Sequence, residues 1–153
     1  MSRSSLLASI LALAAAVFAP AAAPANRNYV EHSVPPGSQP LPFSDAILTG
    51  DTLYVAGHLG LDPRSGSAPS DTATEARMVM EAVKRTVESA GLRIDDLVSV
   101  TVYCTDLQLY DTFNSVYRSY FHGHYPTRAF IGTDKLLRGA HFEVQGIAIK
   151  AAP

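Results

Sequence analysis

The sequence predicts an α+β fold, one β-sheet covered on one face by two helices. Three observations carry this. Apolar residues recur at helical spacing in two segments, near residues 72–90 and 111–121. The segments around them are short, rich in β-branched residues, and bounded by glycine and proline turns. Helices and strands interleave along the chain, so the helices have a sheet to cover. The 153 residues are 47% hydrophobic and 17% charged, which is material for one domain with a core.

The elements follow in order. Residues 1–25 read as a secretory signal: Arg3 near the start, an apolar run over 6–18 broken only by Ser9, then small residues and prolines. The run is shorter than the ~20 residues a membrane-spanning helix takes. Ala21 and Ala25 both end A-x-A patterns, and Ala25 is the preferred cleavage point. A periplasmic or secreted location follows as an expectation. The leader has no cysteine to carry a lipid. Residues 26–39 hold Pro35, Pro36 and Gly37 and read as an irregular arm into a domain spanning 40–153.

Gly50-Asp51 between the short runs 45–48 and 52–57 marks a hairpin. Residues 61–66, with Pro63 and Gly66, are turn chemistry. Thr72 followed by Glu75 suggests a capping box opening the first helix. Its stripe is Ala76, Val79, Met80, Val83, Val87 and Ala90, and Gly91 suits the C-terminal cap. Residues 97–105 alternate as a strand, with Val98, Val100, Val102 and Cys104 on the apolar side. Cys104 is the single cysteine, so the chain forms no internal disulfide. On that face it reads as packing rather than as a nucleophile. The second helix presents Phe113, Val116, Tyr117 and Tyr120. Residues 127–133 and 141–150 complete the order β-β-α-β-α-β-β. A small domain built this way leaves one sheet face uncovered, and self-association is the usual remedy.

A net charge of −2 and a pI near 6.2 argue against a nucleic-acid grip, which draws on a basic face. P-loop, dinucleotide, C-x-x-C and H-E-x-x-H signatures are all missing. His122 and His124 lack the further ligands that a metal set needs in sequence, and they read as helix-terminal residues. His58 lines a pocket or is a satisfied structural histidine. Two strand residues carry candidate chemistry. Arg128, in PTRAFI, is an arginine entering an apolar strand, and its planar fork suits a carboxylate. Glu143, in FEVQGIA, shares a face with Gln145 and Ile147, where a carboxylate can activate water or move a proton. On spacing alone, an Arg128–Glu143 salt bridge is an equal reading.

Residues 42–149 resemble the Rid/YjgF family of reactive intermediate (imine) deaminases, also described as L-PSP endoribonuclease-like. The matching stretches are LTGDTLYVAGHLGLDPRSG, VESAGLRIDDLVSVTVYCTDL, FNSVYRSYFHGHYPTRAF and FEVQGIAI, in family order and spacing. The resemblance implies a chorismate-mutase-like fold with a mixed sheet, a homotrimer, and pockets in the clefts between subunits. It implies hydrolysis of 2-imino acids or their enamine tautomers to 2-keto acids and ammonia, without a cofactor or metal. Arg128 matches the residue that holds the substrate carboxylate, and Glu143 the one that positions the attacking water. Phe43, Ala56, Gly57, His58, Asn114, Ala129 and Phe130 are the further expected substrate contacts.

Three positions depart from the family pattern. Phe43 stands where a tyrosine is usual, Ala56 where a serine is usual, and His58 where a glutamine is frequent. Two hydroxyls are therefore missing, which suits a larger or more apolar imino acid. Gln145 stands where a second acidic residue is frequent. The other readings are a carboxylate-binding trimer without turnover, which the lost hydroxyls favour, and an interaction protein of chaperone or ribonuclease type. An exported copy would meet imino acids outside the cytosol.

Overall fold

The computed structural model describes residues 26–32, 37 and 39–151. The expected leader and most of the proline-rich segment 33–38 lie outside the described residues.

Six strands form one sheet. They are β1 (Arg27–Val30), β2 (Ala46–Thr49), β3 (Thr52–Leu59), β4 (Leu97–Cys104), β5 (Thr127–Gly132) and β6 (Phe142–Ile149). Helix α1 (Thr72–Ser89) follows β3, and α2 (Tyr110–Tyr117) lies between β4 and β5. The sheet order is β1-β2-β3-β6-β4-β5. All neighbours are antiparallel except β4 and β5, so the sheet is mixed, as expected. The parallel pair requires a crossover, and α2 supplies it. The expected arm contributes a strand: β1 pairs with β2 through Tyr29↔Ile47 and Val30↔Ala46. Four residues beside a proline-rich run carry too little pattern to announce an edge strand.

The α1 stripe is buried as read, with Ala76, Val79, Met80, Val83 and Val87 all inaccessible. It meets Leu53, Val55, Val100, Val102, Cys104, Val144 and Ala148 from the strands. Phe113 of α2 packs on Phe142 and Phe130, with ring centroids 5.0 and 5.6 Å apart. At about 25 cal/mol per Å², these burials supply the drive for the fold. Gly91 follows the helix with φ +79°, the left-handed cap expected of it.

The other end of α1 differs from expectation. Asp71, one residue before Thr72, is the N-cap, and its carboxylate accepts from Thr74 N at 2.9 Å. Glu75 closes no capping box. It is fully buried beneath the helix. A carboxylate one position earlier caps as well as a threonine does, which frees Glu75 to turn inward.

Candidate active site

The ladder register sorts the candidate residues by face. Directly paired residues point to the same side of a sheet. Val102↔Val144 and Val100↔Arg128 are such pairs, and the three valines are core residues under the helices. Arg128 therefore rises on the helix-covered side. Glu143 pairs with Tyr103 and Leu59, one step along in each strand, and so faces the open side. Within one chain the two residues sit on opposite faces, and no intrachain salt bridge joins them.

Arg128 lies on β5, the edge strand, beside α2. Its Nη2 donates to Asn114 Oδ1 at 2.7 Å, and Asn114 is itself buried. The guanidinium carbon lies 4.6 Å from the Tyr117 ring centre, 5.7 Å from Tyr110 and 5.6 Å from Phe130. Such cation–π contacts contribute ~0.5–2 kcal/mol each. Burial pushes the Tyr117 phenol up to about 12, so it stays neutral beneath the arginine. Its hydroxyl has no hydrogen-bond partner among the described residues. No carboxylate comes within 4 Å of Arg128 among the described residues. A partly buried guanidinium, held by rings and one amide, keeps N–H donors for an anionic partner. The cleft around it measures about 340 Å³ and is completed by Arg118, Tyr125 and Pro126.

Glu143 meets Gly57 on the open face. The β3–β6 pairing slips between Val55 and His58, which places Gly57 in a bulge. A Cβ at Gly57 would run into Glu143 Oε1, so the side chain rests on bare backbone. Ala56, beside it, donates its N–H to Asp45 O at 2.9 Å. Ala129 pairs with Thr101, and Gln145 Nε2 donates to the Tyr103 hydroxyl at 3.4 Å. Ala129, Gln145 and Tyr103 share the open face with Glu143.

The expected substrate contacts thus fall into two groups. Arg128, Asn114 and Phe130 belong to the edge cleft. Glu143, Gly57, Ala56 and Ala129 belong to the open face. Phe43 is half exposed in the loop before β2. His58 joins neither group by its side chain. It pairs with Val144 and turns under α1, where Nε2 shares a 2.6 Å hydrogen bond with Thr86 Oγ1. Burial there lowers its pKa, so it reads as a satisfied structural histidine rather than as a ligand contact. His122 leaves its helix end and pairs with Asp95 at 3.6 Å. Cys104 is buried, its thiol donating to Asp106 O at 3.1 Å, and burial pushes its pKa up.

The sequence reading missed Tyr110 and Tyr125 as walls of the arginine cleft, and it took Tyr117 for core alone. The signal was present in part: Tyr110, Asn114 and Tyr117 are spaced by four and three, on one face of α2.

Fold and site together define a class, a small α+β subunit with an anion-ready arginine at its sheet edge and a glutamate on its open face. The chain belongs to the Endoribonuclease L-PSP family, the Rid/YjgF group, whose model matches residues 37–150. The chain is 34% identical over 110 residues to the 2-iminobutanoate/2-iminopropanoate deaminase of Bos taurus, covering 71% of this chain and 80% of that one. The protein of the same name from Escherichia coli K12 is 30% identical over 112 residues, covering 71% and 88%. The crystal structure of E. coli TdcF with bound serine superposes with a TM-score of 0.71 at 28% identity, covering 81% of this chain and all of that one.

Proposed function

We propose that this protein hydrolyses 2-imino acids to 2-keto acids and ammonia, at sites each formed by two neighbouring subunits of a homotrimer. The observation that carries the reading is Arg128: a partly buried guanidinium, preorganised by Asn114 and three aromatic rings, with no carboxylate to pair with among the described residues of its own chain. An α-carboxylate of the substrate is the missing partner. Two further facts support it. The relatives above bear a deaminase name, and the open sheet face displays Tyr54 and Ile149 half exposed, which calls for a cover.

In this reading Arg128 of one subunit faces Glu143 of the next across the cleft. Glu143 takes a proton from water as the oxygen attacks the imine carbon. Glu143 hands that proton to the nitrogen, which completes the carbinolamine. It then takes the carbinolamine hydroxyl proton and passes it to the nitrogen as the C–N bond breaks, so that ammonia leaves and the C=O bond of the 2-keto acid closes. Water and imine account for every atom, and the step calls on no cofactor. The aromatic walls Tyr110 and Tyr125, with Phe43 and Ala56 in place of hydroxyl residues, favour substrates with a larger apolar side chain. The leader motif supports a site of action outside the cytosol, on imino acids arising there.

The test is ammonia and keto-acid release from a panel of 2-imino acids generated in situ. Arg128→Lys keeps the charge but loses the fork. It is expected to weaken 2-keto acid binding by roughly ten- to a hundredfold, the equivalent of ~1.5–3 kcal/mol. Glu143→Gln is expected to bind normally and turn over roughly 10²–10⁴ more slowly. Hydrolysis at the wild-type rate by both variants would overturn the assignment.

A further inference from the structure

Glu75 is a carboxyl group fully inaccessible in the first turn of α1. Its Oε1 accepts two backbone hydrogen bonds, from His141 N at 2.6 Å and from Phe142 N at 2.9 Å. Its Oε2 lies 2.7 Å from His141 Nδ1. The carboxyl group therefore binds the two residues that directly precede Glu143. A buried polar group is costly unless bonded in this way, and an apolar side chain would suit the α1 stripe without that cost.

The neighbouring backbone is shaped around the same contact. Gly60 follows Leu59, which pairs with Glu143. A Cβ at Gly60 would collide with the Glu75 carbonyl oxygen and crowd its Cγ. Two glycines of one segment thus each give way to a glutamate, Gly57 to Glu143 and Gly60 to Glu75. From the β4 side, Thr105 N donates to His141 O at 3.1 Å. The start of β6 is held from the helix and from β4 at once.

We propose that Glu75 is a positioning residue, its buried carboxyl group clamping the first residues of β6 and so setting the Glu143 carboxyl group over Gly57. The inference rests on the reading above, in which Glu143 acts on water. Glu75 reaches the chemistry through two peptide units and touches no substrate. A clamp of this kind affects the catalytic step more than substrate capture, because Arg128 lies on the other face of the sheet. Displacing a reacting group by about 1 Å costs up to ~10²-fold in rate.

The experiment compares Glu75→Leu, which removes the acceptors, with Glu75→Gln, whose carbonyl still accepts both backbone N–H groups and whose amide reaches His141 Nδ1. Gly60→Ala, which presses on Glu75 without removing it, serves if the leucine variant does not fold. Each full-length protein is assayed for kcat and KM in imine hydrolysis below its melting temperature. Each is also examined by the carboxyl 13C resonance of Glu143. Glu75→Leu or Gly60→Ala is expected to lower kcat about ten- to a hundredfold, with KM within about threefold and the Glu143 resonance shifted. Glu75→Gln is expected to restore kcat and the resonance. A folded leucine or alanine variant with wild-type kcat and an unshifted resonance overturns the clamp, as does a glutamine variant as impaired as the leucine one. If the wild type releases no ammonia, the reading of Glu143 falls. The resonance then decides the clamp by itself: shifted in the leucine variant and kept in the glutamine variant supports it, and any other pattern overturns it.

Discussion

Gly57 and His58 are adjacent in sequence and do opposite things, because a bulge separates them. Gly57 leaves room for the Glu143 carboxyl group, and any side chain would occupy the same space. Gly57→Ala is therefore expected to displace Glu143 and lower turnover about tenfold or more. Binding of a 2-keto acid, measured by calorimetry, is expected to change little. Equal turnover by the alanine variant would mean that Glu143 works from some other position. His58 points the other way, into the core, and burial lowers its pKa from 6.5. The fold therefore prefers the neutral ring. Its contribution to stability is complete above pH 6.5 and is lost as the pH falls through the depressed folded value. The melting temperature of the wild type is expected to drop between pH 7.5 and 5.5, and His58→Gln to drop less. Parallel pH profiles for the two proteins would contradict that account. The sequence alone left His58 between ligand and structural roles, because a bulge reverses the face of every later residue and leaves little trace in composition.

At the scale of elements, strong periodicity was legible and weak periodicity was not. Helix α1 showed its stripe, its C-terminal glycine and its length. Strand β4 showed its alternation from Val100 onward, which placed Cys104 in the core. Val98, expected on the same side, is exposed, because the β4–β6 pairing slips between Leu97 and Ser99 and Leu97 is buried instead. Cys104→Ala is accordingly expected to lower the melting temperature and to leave kcat/KM within about twofold. The lost volume costs of order 1 kcal/mol. Lost turnover at unchanged stability would instead make the thiol part of the chemistry. Strand β1 escaped notice because four residues of mixed polarity at a sheet edge carry no pattern of their own. The start of α1 was misread because Asp71 and Thr72 are both good caps, and only the tertiary contacts show which one is used. Those contacts, Glu75 to His141 and Phe142, span 66 and 67 residues. A hint did exist: Glu75 lies four residues before Val79 and eight before Val83, on the buried stripe, where an acid needs a partner.

For the whole molecule, the proposed pair, Arg128 and Glu143, was legible as residue types in a family order, and its geometry was not. An arginine and a glutamate on neighbouring parts of one sheet read equally well as a salt bridge. The register removes that reading within a chain, since Arg128 shares a face with Val100 and Glu143 shares one with Tyr103. The two work together only if another copy of the chain brings its open face to the β5 edge. An assembly with closed threefold symmetry does this three times over. The proposed trimer would also cover Tyr54 and Ile149, which a lone subunit leaves about half exposed.

Subunit complementation tests this directly. Arg128→Lys and Glu143→Gln chains, each expected to keep about a tenth or less of the wild-type rate well below the wild-type KM, are co-expressed in equal amounts, and ammonia release from a 2-imino acid is measured at such a concentration. Random assembly into trimers pairs an intact Arg128 with an intact neighbouring Glu143 at about a quarter of the sites. The rate is therefore predicted to recover to about a quarter of the wild-type value. A mixture no more active than its separate components would show that the two residues do not share a site across subunits, and would contradict the account.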